Sequence, residues 1–332
     1  MKAPGEELIG KLWVTLADNA IGGLLKPWQI RREGRAKLEL KAEEVVAMAI
    51  AEKKAKEISG DSEKLESVYL GDEAGWLPGR IEPSISAEHV ADIAREISLK
   101  DFLRRERNMA EAILVAEEEL SDFTGEVTDK EVEEDWIQRW RSLAGEVSAK
   151  NLQYLWGQIL AGETKTPGQY SLRTLDFLKN LSQNEAKDIE SIAPFIIGGR
   201  IIKNVVGFPE DFGLSAGTLL YLQAVGVLSS VDSISTNVQW GSNEPDRFEY
   251  SFVVGDRAIL IKSDAPGAIL RLPVIVVTEV GRQVLSLVKL EPNEKYIMAV
   301  GKYIKELGFS VRVARVIGIN EGWVEHDDGV EL

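Results

Sequence analysis

The sequence predicts a mainly α protein, in which an N-terminal helical pair and a central helical bundle precede a small α+β, winged-helix-like module. Three observations carry that prediction. Between residues 6 and 186 apolar side chains recur at steps of three and four, the spacing that lines one face of a helix. Serine or threonine stands just ahead of several of these stripes, twice with a glutamate three residues on, which is the reciprocal cap of a first helical turn. After about Pro194 the pattern changes to short β-branched runs broken by glycine, as strands require. The predicted limits are an N-terminal amphipathic segment 1–60, a linker 61–85, a helical bundle 86–194 and an α+β module 195–332.

Taken in order, Ile9, Leu12, Trp13, Leu16, Ala20, Ile21 and Leu24 form one helical stripe, interrupted by Gly22-Gly23 and Pro27. A second helix is predicted from Pro27 or Trp28 to Ile58, rich in Ala, Glu, Lys and Arg, with Gly60 as its stop. Residues 60–85 combine Gly, Pro and acids and read as a linker. Helix resumes at about Ser86 and continues to about Leu120, with a break suggested at Ser98. Thr128 with Glu131 makes a capping box ahead of Val132, Trp136, Ile137, Trp140 and Leu143. Ser148 is the expected cap of a helix carrying Leu152, Leu155, Trp156, Ile159 and Leu160. Ser171 caps the next, and Ser182 with Glu185 a third, the three expected to pack as an antiparallel bundle. Beyond Pro194, Phe195–Ile202 is strand-like and Ser215–Leu228 helical. Arg247–Lys262 reads as two strands around Gly255-Asp256, and Pro273–Val277 as another. Helices are expected at Thr278–Leu287 and Asn293–Leu307, then a final strand at Phe309–Ile317.

The 332 residues are 44% hydrophobic and carry a formal net charge of −15. Residues 61–195 hold 28 Asp and Glu against 15 Lys and Arg, so the acidity is concentrated there. Phosphate contacts drive most nucleic-acid binding, so nucleic acid is not an expected partner. Cysteine is absent, which removes disulfides, thiolate nucleophiles and thiolate metal sites. Phe212–Val231 runs 20 residues without a charge, the length of a membrane span. Its three glycines and several hydroxyls favour instead a helix buried inside a domain.

Two surfaces are candidates for interaction. One is the turn from Gly162-Glu163 to Arg173-Thr174, where Glu163, Tyr170, Arg173 and the helix start at Ser171 could receive an anion. The competing and favoured reading makes the same residues a fold-making corner, with Arg173 paired to Glu163. The other surface is Trp28 with Arg31, Arg32 and Arg35, which together would suit an anionic membrane surface. Its favoured competitor is a packed helical hairpin or a self-association face. The acids Glu131, Glu133, Glu134 and Asp135 at a helix start complement the helix dipole rather than a metal. His89 and Asp92 lie one turn apart, with no nucleophile in a defined place beside them. No catalytic, cofactor or metal residue is therefore expected.

The segment Trp156–Ala186, with LWGQILAGE followed by PGQYSLRTLDFLKNLSQNEA, resembles a bacterial family known only as a domain of unknown function. The upstream VEEDWIQRWRSLAGEVSAKNLQ and the N-terminal KPWQIRREGRAK are similar to the same family. A more distant resemblance is to the Abi-alpha family, named for abortive infection. These resemblances imply a component of anti-phage defence; with the amphipathic N-terminus and the lack of a catalytic constellation, the expectation is a non-enzymatic part acting by homo-oligomerisation or by docking on another defence protein. The absence of cysteine fits a cytoplasmic location, and the amphipathic N-terminus a peripheral one at the inner membrane. The alternatives are a cytoplasmic adaptor or sensor with an acidic surface, or a nuclease or hydrolase whose carboxylates come from distant segments.

Overall fold

The computed structural model describes residues 3–19, 21, 87–233, 236–242, 246–288, 291–320 and 323–332. The chain divides into two compact units, Met1–Gln169 and Tyr170–Leu332.

The first unit is helical. α1 (Pro4–Asp18), α2 (Ala87–Ser121), α3 (Glu134–Glu146) and α4 (Lys150–Lys165) are its helices among the described residues. The other three all pack on α2. The stripe of α1 goes into that contact: Leu8, Ile9, Leu12, Trp13 and Leu16 are buried. They meet a core built from Met109, Ile113 and Leu120 of α2, Trp136, Ile137 and Trp140 of α3, and Trp156, Ile159 and Leu160 of α4. Trp140 Nε1 donates to the carbonyl of Trp156 at 2.9 Å, so the buried indole keeps its hydrogen bond. At the crossing of α2 and α4, a Cβ on Gly157 would lie 2.5 Å from Val115 Cβ and 2.6 Å from the Ala112 carbonyl oxygen. Only glycine permits that approach.

Three local expectations differ from the structure here. α2 runs through Ser98 without a break, because it contains neither proline nor glycine and Ser98 is exposed. α3 starts at Glu134 and not near Thr128. Lys11 Nζ of α1 donates to the carbonyls of Thr128, at 2.8 Å, and Lys130, which holds that stretch extended. α4 begins after Ala149 without a side-chain cap. Ser148 Oγ instead accepts from Asn108 Nδ2 at 3.2 Å, and Asn108 Oδ1 accepts from Gln153 Nε2 at 3.2 Å. A buried amide network has taken the serine away from the helix terminus.

The second unit opens with α5 (Leu172–Lys179), α6 (Gln183–Ile192) and a 3-10 turn, Ala193–Phe195. β1 (Arg200–Ile202), α7 (Ala216–Ala224), β2 (Leu228–Ser229), β3 (Asn237–Trp240), β4 (Phe248–Val254), β5 (Arg257–Ser263) and β6 (Leu270–Val277) follow. α8 (Glu279–Leu285), α9 (Glu294–Glu306), β7 (Ser310–Asn320), β8 (Trp323–His326) and β9 (Val330–Glu331) complete it. β6 is the shared strand of a four-stranded antiparallel sheet, pairing with β1, β2 and β3. A five-stranded antiparallel sheet has the order β4-β5-β7-β8, with β9 also on β7. The β4–β5 hairpin turns at Gly255, whose φ of +60° suits glycine. α9 packs on β7. Tyr296 joins α9 to the other sheet: its hydroxyl accepts from Ile202 N at 2.8 Å and donates to Ile202 O at 2.9 Å. Its ring packs with Phe195, Phe208 and Phe212, all with centroids 5.3–5.6 Å away.

The predicted fold class is therefore corrected. The chain is not a mainly α protein ending in a small winged-helix-like module, because its second unit is built on two antiparallel sheets of four and five strands. The reason lies in strand length. β2 and β9 have two residues each and β3 four, too few to show alternation, and β3 (NVQW) is half polar. The expected three-helix bundle is also redistributed, since α5 packs on α8 within the second unit. The uncharged stretch 212–231 is not one buried helix either. It divides into the end of a 3-10 turn, the nine residues of α7, and β2.

Candidate interaction surfaces

Glu163 sits in the last turn of α4 with only 1% of its surface exposed. Its Oε1 accepts from Gly168 N at 2.6 Å, and Gln169 N bonds the Thr166 carbonyl at 3.0 Å. Gly168 has φ +91°, so a glycine is needed where this turn reverses. The carboxylate thus shapes the turn and offers no surface. Tyr170 is buried in the second unit, its hydroxyl 3.4 Å from Ser286 Oγ at the C-cap of α8. The helix start at Ser171 is already used: Ser171 Oγ accepts from Thr174 N at 3.2 Å, and Gln283 Oε1 accepts from Ser171 N at 2.9 Å and from the Thr174 hydroxyl at 2.5 Å. Gln283, 112 residues away, occupies the place an anion would take. Arg173 is exposed.

Trp28, Arg31, Arg32 and Arg35 lie outside the described residues. What the structure adds is that the apolar stripe ahead of them, on α1, is buried in the first unit. Asp92 pairs with Arg95 at 3.0 Å. Among the described residues no group of three or more His, Asp or Glu side chains is placed to hold a metal ion. Among them, too, no helix is long and apolar enough to cross a membrane.

Sequence reasoning missed one exposed apolar feature among the described residues of the first unit. None of residues 90–102 of α2 is buried, and burial begins at Leu103. Over these 13 residues, roughly 20 Å of helix, Val90, Ile93 and Ile97 fall on one face, 47%, 43% and 61% exposed. The neighbouring charges are matched within the helix: Asp92 with Arg95, Glu96 with Lys100 at 2.7 Å, and Asp101 with Arg104 and Arg105. Those two arginines hold the Asp101 carboxyl below its usual range, Arg104 most strongly. The spacing 90, 93, 97 is readable in the sequence, but which stretch of a long helix goes uncovered depends on where α3 and α4 end. At the other end of α2, Glu6, Ile9, Leu114, Glu117 and Glu118 line an open groove of about 560 Å³ against α1.

Residues 94–198 match a family described as protein of unknown function, DUF2806. The matched stretch covers most of α2, all of α3 to α6 and the 3-10 turn, and stops just before β1. Neither the curated proteins nor the solved structures provide a match.

Proposed function

We propose that this chain is a non-enzymatic component of a bacterial anti-phage system of the abortive-infection kind, acting in the cytoplasm by oligomerisation or by docking on another defence protein. The defence context comes from the resemblance of the 156–186 segment to the Abi-alpha family. The single observation that supports action by docking is the stripe Val90, Ile93 and Ile97 on the uncovered half of α2. Exposed apolar residues in register on one helix face are costly in water and favour a partner helix. The anionic inner membrane is a further proposed contact through Trp28, Arg31, Arg32 and Arg35.

The test uses the whole chain and its Ile93→Glu/Ile97→Glu variant, which changes only exposed positions. Mass photometry of the wild type should show a discrete oligomer, alone or with the product of a neighbouring gene. The variant should be monomeric and should lose protection against phage plating. A wild type that is monomeric and partnerless, or a variant that protects as well as the wild type, overturns the proposal.

A further inference from the structure

We infer that the outward face of α7, in the second unit, is a docking site for a cationic amphipathic helix of another protein. Within the uncharged run Phe212–Val231, α7 lies at the surface, with only two of its side chains buried, Leu219 and Leu222. Helical periodicity puts Ala216, Leu220, Ala224, Gly217 and Tyr221 on one continuous arc opposite those anchors. All five are exposed, Leu220 by 47% and Tyr221 by 44%, and none is charged. A Cβ on Gly217 would meet only Ser215 Oγ, at 3.6 Å, so the backbone there is open to close approach by a second helix.

The margins of this arc decide what can lie on it. On one side the Tyr221 hydroxyl donates to Glu185 Oε1 at 2.9 Å, and Asp188 follows one turn along α6. Both acids raise the Tyr221 phenol above its usual range, the Glu185 hydrogen bond most strongly, so it remains a donor. On the other side Gln223 Nε2 donates to Asp232 Oδ1 at 3.1 Å. Lys203, whose ammonium gathers the carbonyls of Ser230, Val231 and Ser233, offsets part of the Asp232 charge. The α6 margin is thus the more acidic. An apolar strip edged by carboxylates is complemented by a helix with a Leu/Ala ridge flanked by Lys or Arg. A second copy would bring Glu185 and Asp188 against a chain of net charge −15. An anionic bilayer would meet the same repulsion. This site lies in a different unit from the α2 stripe, so either proposal can fail alone.

The experiment titrates the full-length protein with two four-turn model helices that share a Leu/Ala ridge, one flanked by Lys and one by Glu. Calorimetry should show saturable one-to-one binding of the Lys peptide and weakening of about tenfold or more for the Glu peptide. Leu220→Asp should weaken the Lys peptide by a similar factor. That sign is diagnostic, because the variant adds negative charge and mere attraction to an acidic chain would tighten binding. Ala216→Glu is the second variant should Leu220→Asp fail to fold by circular dichroism. Unchanged binding in a folded variant, or no saturable binding of the Lys peptide, overturns the inference. So does a Leu220-dependent homodimer in sedimentation, or Leu220-dependent pelleting with phosphatidylglycerol vesicles.

Discussion

Gly157→Ala should loosen the first unit, and the structure sets the size of the effect. The added methyl would stand 2.5 Å from Val115 Cβ and 2.6 Å from the Ala112 oxygen, where ordinary contact begins near 3.4 Å. Neither neighbour can turn aside, since one is a backbone oxygen of α2 and the other a Cβ fixed to that backbone. α2 and α4 must therefore separate by nearly an ångström at their crossing. Overpacking of this kind costs about 1–3 kcal/mol, and the separation also pulls on the Trp140–Trp156 hydrogen bond beside it. Alanine's better helix propensity returns about 1 kcal/mol. The net loss should be about 1 kcal/mol, or roughly 2–4 °C in the melting of a unit this size. Near-ultraviolet circular dichroism, which reports the buried tryptophans, should follow the transition. Gly10→Ala is the matched control, for nothing lies within 4 Å of its Cβ on exposed α1 surface, and it should stabilise by about 0.5–1 kcal/mol. If Gly157→Ala melts at or above the wild type, the close crossing of α2 and α4 is refuted.

Two further outcomes follow from the second unit. Tyr296→Phe keeps the aromatic cluster but strands both the amide and the carbonyl of Ile202, so the urea midpoint of that unit should fall by the equivalent of about 2–4 kcal/mol; an unchanged midpoint would show that the hydroxyl bridges nothing. The Glu185 carboxyl is held below its usual range by Ser182, through its hydroxyl and amide, and by the Tyr221 phenol. A carboxyl depressed by folding adds stability above its unfolded pKa and loses it as pH falls through the folded value. Denaturation between pH 7 and pH 3 should therefore show a shallower acid loss in Glu185→Gln than in the wild type, and parallel curves would remove Glu185 from the cap.

What was legible in the sequence is what depends on neighbours along the chain. The caps at Ser171, Ser182, Thr278 and Asn293 all form, and Ser182 with Glu185 makes the full reciprocal box. Each needs only a hydroxyl, amide or carboxylate within three residues of a free backbone amide. The two predicted caps that fail, Thr128 and Ser148, lose to groups far away in sequence, Lys11 and Asn108. The β4–β5 hairpin was readable because both strands are seven residues long and meet at a glycine. Its companion sheet was not, because β6 gathers three short strands whose only common signal is the partner they share. Of the candidate residues, Glu163 bonds Gly168 within the first unit, while Tyr170 and Ser171 meet Ser286 and Gln283 within the second, so their local roles were set by partners the sequence pattern does not show. A hydrophobic count likewise marked the run 212–231 without showing which face of α7 turns outward.

The two proposed surfaces respond to salt in opposite directions, which separates them without any variant. Along the uncovered half of α2 each acid has a base within four residues, so the stripe Val90, Ile93 and Ile97 offers an approaching helix apolar contact and little local charge. Copies of the chain still repel through their net charge of −15. Salt shortens the reach of that repulsion to about 8 Å at physiological strength and less above it, so assembly through α2 should strengthen as salt rises. At α7 the acids Glu185 and Asp188 edge the apolar face, and their attraction to a cationic helix is screened by the same ions. Docking there should weaken with salt. A single salt series, read once for oligomer mass and once for peptide affinity, should give slopes of opposite sign. Slopes of the same sign would mean that one of the two surfaces has been assigned the wrong kind of partner.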